Sequence, residues 1–188
     1  WTCGECHWGQ FTDAIGDPME SQMFVPASAL DQSYWADAVT LHEAGHWTMA
    51  AFGTSPKEGG PHVFGHAYYP GLAWSEGWAT WLSSDWRAES RYLDKQDGSM
   101  FWVDIGDRTS FYDWAWPRPV PADGLTGRMN EIEVSAMLWR LSLDPEVSSN
   151  ALYLALNAPR AQLALRGYTR HEWDLDEASG FLVVAATL

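Results

Sequence analysis

Positive charge, cysteine and long apolar runs are all scarce in this 188-residue sequence. Lysine occurs only as Lys57 and Lys95, and 11 Lys and Arg face 25 Asp and Glu, for a formal net charge of −14. Because binding to phosphate backbones or anionic lipids needs clustered cations, we expect neither nucleic acid nor a membrane as a partner. The longest mostly apolar run, Phe181 to Leu188, is much too short to span a bilayer.

The two cysteines, Cys3 and Cys6, lie together in the sequence Cys-Gly-Glu-Cys-His. This pattern has three interpretations: a local disulfide, half of a metal site completed elsewhere, or attachment of a c-type haem with His7 as axial ligand. No small cytochrome-like helix follows, which favours the first two. A disulfide is typical of secreted proteins, so we predict an extracellular or cell-surface location. The first residue is Trp1 rather than Met, which predicts a piece excised from a longer precursor.

What the sequence does contain is enough apolar material for one globular domain, with 46% hydrophobic and 19% charged residues. A first helix is predicted from Asp31 as N-cap to about Phe52, where Gly53 stops it. A second is predicted at about 72–86, with Trp74, Trp78 and Trp81 as core contacts at helical spacing. A third begins at a capping box that pairs Asn130 with Glu133. Short strands and turns are expected in 1–30 and 95–129, so the predicted fold class is α+β.

The segment that carries chemistry is His42-Glu43-Ala44-Gly45-His46 in the first predicted helix. Residues four apart lie on one helix face, so both imidazoles can bind one zinc ion (Zn2+) at about 2.0–2.1 Å. Glu43 is offset by one residue and can accept a proton from a water that the metal activates. The pattern predicts a catalytic zinc site with His42 and His46 as ligands and Glu43 as general base.

Zinc needs a third protein ligand. Met49 and Phe52 stand where a metzincin has glycine and histidine, so that family is excluded. Glu76 follows in Trp74-Ser75-Glu76-Gly77-Trp78-Ala79-Thr80, 30 residues beyond His46. Glu76 is the next candidate for the third ligand. Alternatively, its carboxylate complements the dipole of the second helix.

This arrangement over about residues 31–86 resembles the gluzincin metallopeptidases, in which a glutamate on the following helix completes HExxH. The resemblance implies a zincin-like fold and Glu76 as the third zinc ligand. Thr80 departs from the pattern, since thermolysin-like enzymes have an aspartate there that orients the first histidine. No motif for a substrate amino terminus is present, which favours an endopeptidase. The corresponding domain is 1–188, with a short-stranded upper lobe at about 1–53 and a helical lower lobe at about 54–188.

An oxyanion donor should lie beside the metal. The candidates are Tyr68, Tyr69, Tyr112 and His171, together with the loop histidines His62 and His66, which could also replace Glu76 as ligand. We select Tyr69 because it lies in the loop joining the two metal-binding helices. Glu131 is interpreted as complementing the dipole of the third helix.

These observations predict a zinc-dependent peptidase, monomeric, that takes an extended peptide or protein substrate between its lobes. The peptide could pair with an edge strand near 22–27. Two alternatives stay open: a non-catalytic binding module of a surface protein with a vestigial metal site, and a haem protein built on Cys3, Cys6 and His7.

Overall fold

The computed structural model describes residues 7–9, 22–25, 32–52, 62–66, 68, 70–96, 99–111 and 130–156. Its elements, in chain order, are β1 (His7–Gly9), β2 (Gln22–Phe24), a 3-10 helix (Ser33–Trp35), α1 (Asp37–Phe52), α2 (Pro70–Arg87), β3 (Arg91–Gln96), β4 (Ser99–Asp104), β5 (Thr109–Ser110), α3 (Glu131–Ser142) and α4 (Ser149–Leu156). The described part of the chain contains both helices and small antiparallel sheets, which confirms the predicted α+β fold class. None of the described helices is both long and apolar enough to cross a bilayer.

Helix α1 begins at Asp37, later than the predicted start at Asp31, which lies outside the described residues. A 3-10 turn precedes it, and Ala36 is extended between the two. The turn is tied to β3, because the Ser33 hydroxyl donates to Asp94 Oδ1 at 3.0 Å. This long-range contact keeps the segment out of the helix. Helix α2 begins at Pro70, a residue suited to a first helical position.

Two antiparallel sheets flank α1. β1 pairs with β2, the strand predicted near 22–27, and β3, β4 and β5 form a sheet with Arg91 opposite Asp104. The residues that pack the larger sheet onto the start of α1 and the tip of α3 are buried: Ala36, Ala38, Val39, Phe64, Tyr92, Phe101, Val103 and Ile132. The larger sheet lies after α2. Its strands β4 and β5 fall within 95–129, where the sequence predicted short strands, although the same range was assigned to a helical lobe. The division into two lobes itself stays a prediction.

Helix α2 lies between α1 and α3 and packs against both. The predicted tryptophan stripe of α2 is in the core, since Trp74, Trp78 and Trp81 are at most 4% exposed. They belong to a second apolar cluster with Met49, Leu82, Val134, Leu138 and Leu152. Burial of these large rings holds the three helices together.

Two glycines allow the three helices to approach closely. A Cβ added at Gly45 in α1 would lie 2.9 Å from Ala79 Cα in α2. A Cβ added at Gly77 in α2 would lie 2.6 Å from Val134 Cβ and 2.8 Å from the Glu131 carbonyl oxygen in α3. Both separations are too short for a side chain, so the backbones meet at these two points.

The predicted cap of α3 is present in part. Asn130 Oδ1 accepts hydrogen bonds from the backbone N–H groups of Ile132 and Glu133, at 2.9 and 3.3 Å. The Glu133 carboxylate does not complete the capping box, because both of its oxygens accept from the Arg108 guanidinium. The competing bidentate ion pair, from a residue distant in sequence, determines where this side chain points.

Candidate metal centre

His42, His46 and Glu76 converge on one point between α1 and α2. The two Nε2 atoms are 3.1 Å apart, and Glu76 Oε2 lies 3.0 Å from that of His42 and 3.2 Å from that of His46. A tetrahedral ion with bonds of about 2.0–2.1 Å separates its ligand atoms by about 3.3 Å. The three atoms therefore have the spacing of three ligands of one small cation, and two imidazoles with a carboxylate are a zinc donor set.

The charges at this point are arranged for a cation. Burial by itself would raise the pKa of Glu76, but the positive charges of His46 and His62 hold it well below its usual range. Burial would lower the pKa of His46, yet the Glu76 carboxylate raises it. The carboxylate thus favours positive charge on the His46 imidazole. A divalent ion would take over that role from protons.

Two hydroxyl groups of α2 lie within hydrogen-bond distance of the imidazole Nδ1 atoms. Thr80 Oγ1 lies 3.1 Å from His42 Nδ1, and Ser75 Oγ lies 3.1 Å from His46 Nδ1. When Nδ1–H donates to the hydroxyl, the Nε2 lone pair faces the centre. Thr80 stands where thermolysin-like enzymes have the aspartate that orients the first histidine. The structure shows that the threonine hydroxyl itself occupies that place.

Tyr92 is a site residue that the sequence analysis missed. Its ring meets the His42 imidazole edge-on, with centroids 5.8 Å apart, and packs against Phe64 on its other side. Burial, with the charge of Asp94 next, raises the pKa of Tyr92 well above its usual range. Tyr92 stands in β3, and no local motif connects this strand to the helix of His42.

Glu43 lies beside the two histidines and is 5% exposed. Its negative charge contributes to the raised pKa of His46, so the carboxylate is within electrostatic reach of the centre. Glu43 lies next to the three ligand atoms but is not one of the ligands. This position suits a proton acceptor.

A second group adjoins the first and shares Glu76 with it. His62 Nε2 lies 3.5 Å from Glu76 Oε2 and 3.9 Å from Glu131 Oε2. Glu131 was interpreted from sequence as a first-turn carboxylate that complements the dipole of α3. It does stand in the first turn, but its side chain is fully buried. Burial, then the charge of Glu76, raises the pKa of Glu131 well above its usual range.

The segment 62–66 is fastened over the start of α3. Asn130 Nδ2 donates to the His66 carbonyl oxygen at 2.8 Å, and the Tyr68 hydroxyl accepts from Val63 N–H at 2.7 Å. His62 consequently faces the acidic groups, whereas the His66 side chain is exposed and belongs to neither group. Among the loop histidines, only His62 joins a group of ligand atoms in the described part of the chain.

Several predicted residues lie outside the described residues: Tyr69, Tyr112, His171, Cys3 and Cys6. His7 is described only as backbone of β1. Tyr69 as oxyanion donor, the disulfide and the haem therefore stay predictions.

A family model, described as the Mycolysin C-terminal domain, matches residues 19–174. The match includes α1, α2 and α3 and hence both groups of ligand atoms. No curated protein and no solved structure matches the chain.

Proposed function

The chain belongs to the Mycolysin C-terminal domain family, and we propose that it is a zinc-dependent peptidase of gluzincin type. The family name associates the chain with a metalloprotease. The observation that carries the finer proposal is the convergence of His42, His46 and Glu76 at 3.0–3.2 Å beside the buried Glu43. An HExxH helix and a glutamate on the next helix thus meet as the catalytic chemistry requires.

The roles of the side chains follow from their positions. Zinc, when bound by His42, His46 and Glu76, supplies Lewis acidity toward the substrate carbonyl and lowers the pKa of a water. Glu43 accepts the proton of the attacking water and delivers it to the leaving amine. The Thr80 hydroxyl keeps the His42 imidazole in the tautomer that presents Nε2 to the centre.

The broader features are proposals of the same kind. We propose an endopeptidase acting as a monomer on an extended peptide, within one catalytic domain spanning 1–188 in two lobes. Secretion is proposed from the cysteine pair and the family. The acidic composition and the lack of clustered lysine support a protein substrate rather than nucleic acid or membrane.

A non-catalytic role is the second candidate, because the family is named for a C-terminal domain. The 13 tryptophans would fit a binding module for protein or carbohydrate. Such a module could hold zinc at a vestigial site without hydrolysing anything. Metal content and turnover, measured on the same sample, separate the two functions.

The experiment is elemental analysis of the full chain with an assay on a mixed peptide library. We expect bound zinc, no iron, hydrolysis of peptides, and loss of hydrolysis in EDTA that zinc restores. His46→Ala should lose both zinc and hydrolysis. Zinc without hydrolysis of any peptide would favour the binding module, and iron near one per chain would favour the haem.

Replacing Thr80 with valine should lower zinc affinity about 10–100-fold, because the nearly isosteric side chain leaves His42 Nδ1 without its hydroxyl partner. Competition with a chromophoric chelator measures the change. The matched control is Ser83→Ala, which removes another buried hydroxyl of α2, one that donates to the Ala38 carbonyl. Equal losses of affinity in both variants would show that Thr80 acts through general packing.

A further inference from the structure

We propose that His62, Glu76 and Glu131 form a second zinc-binding site, with the Glu76 carboxylate shared between two ions. The proposal rests on the function proposed above, because Glu76 is also a ligand of the first site. It adds one ion to the centre and gives His62 and Glu131 a function.

The buried position of Glu131 supports this second site. Its side chain is fully buried, and neither carboxylate oxygen has a hydrogen-bond partner within the described ranges. A buried carboxyl group without hydrogen-bond partners is stable only when it is protonated or bound to a cation. The side chain points toward His62 Nε2, 3.9 Å away. A cation between them would satisfy the carboxylate.

The geometry of the three groups also suits a metal ion. One ligand atom from each of His62, Glu76 and Glu131 lies within 4.8 Å of the others. One imidazole with two carboxylates is a donor set that zinc accepts, with bonds of about 2.0–2.2 Å. Zinc pairs about 3.5–4 Å apart occur in hydrolases, where one group commonly bridges the ions.

Contacts of the backbone hold these groups in place. Gly77, directly after Glu76, lets the start of α3 approach α2, which brings Glu131 to the shared carboxylate. Asn130 fastens the 62–66 segment from the same end of α3. The site is thus built from three separate elements whose relative positions are set by direct contacts.

The local charge also favours a second cation. Glu43, Glu76 and Glu131 bring three carboxylates into one largely buried region, each at most 12% exposed by side chain or residue. When all three are ionised, one divalent ion leaves a single negative charge in this region, which attracts a further cation.

The test is the number of zinc ions bound per full-length chain after equilibrium dialysis against buffered zinc. Wild-type protein should hold about two, and Glu131→Gln about one, because glutamine keeps the shape but loses the charged ligand. Glu133→Gln is the matched control. It stands on the same turn of α3 but pairs with Arg108 on the surface, so this variant should keep about two.

The outcomes separate this proposal from the function on which it rests. One zinc in wild type, with hydrolysis intact, overturns the second site and leaves the peptidase standing. Two zinc ions in Glu131→Gln also overturn the second site. No zinc in wild type overturns both proposals. If circular dichroism shows that Glu131→Gln is unfolded, His62→Gln replaces it, with the same expectation of a loss of one ion.

Discussion

Replacing Glu43 with glutamine is expected to lower peptide hydrolysis by about 10²–10⁴-fold while zinc remains bound. Glutamine keeps the size and hydrogen-bonding reach of the side chain but cannot accept the proton of the attacking water. The ligand atoms of His42, His46 and Glu76 are untouched, so the metal should stay. We would measure the initial rate of peptide hydrolysis at saturating zinc and the zinc content of the same preparation.

The comparison that makes this result specific is with His46→Ala. That variant should lose hydrolysis together with zinc, whereas Glu43→Gln should lose hydrolysis alone. Glu133→Gln, which replaces a carboxylate on the surface of α3, controls for the loss of one negative charge. Hydrolysis at the wild-type rate by Glu43→Gln would show that another group is the base. Loss of zinc in that variant would instead make Glu43 a ligand.

The second large effect is expected from Gly77→Ala. By intrinsic helix propensity, alanine should stabilise α2 by about 1 kcal/mol. In the structure the added Cβ would lie 2.6 Å from Val134 and 2.8 Å from the backbone oxygen of Glu131, so α2 and α3 must move apart. Overpacking of this kind costs about 1–3 kcal/mol, and we expect a net loss of stability.

Urea unfolding in EDTA measures this effect on packing without the contribution of bound metal. Val134→Ala removes one of the two side-chain atoms that the new Cβ would meet, so Gly77→Ala should cost less in that background. An increase in stability on Gly77→Ala alone would mean that the helices can separate at no cost. In that case the glycine would not explain the position of Glu131.

Prediction from the sequence was most accurate where the chemistry depends on the spacing of residues within one element. His42 and His46 share a helix face because any α-helix places residues four apart on one side. The α2 tryptophan stripe and the Asn130 cap were predictable for the same reason, since each depends on neighbours within one or two turns. The start of α1 was wrongly placed because a contact between Ser33 and Asp94, distant in sequence, overrides local preference.

From the sequence alone we could predict the α+β class, the imidazole pair, the adjacent Glu43, and Glu76 as a candidate third ligand. The three-dimensional structure was needed to establish that Glu76 meets the histidines, that Thr80 and Ser75 hold them, and that the Tyr92 ring contacts His42. It also placed Glu131 beside His62. These contacts join α1, α2, α3 and the 62–66 segment, and their geometry depends on helix separations set by Gly45 and Gly77. No periodicity along one element encodes the distance between two elements, which is decided by side-chain packing across their interface.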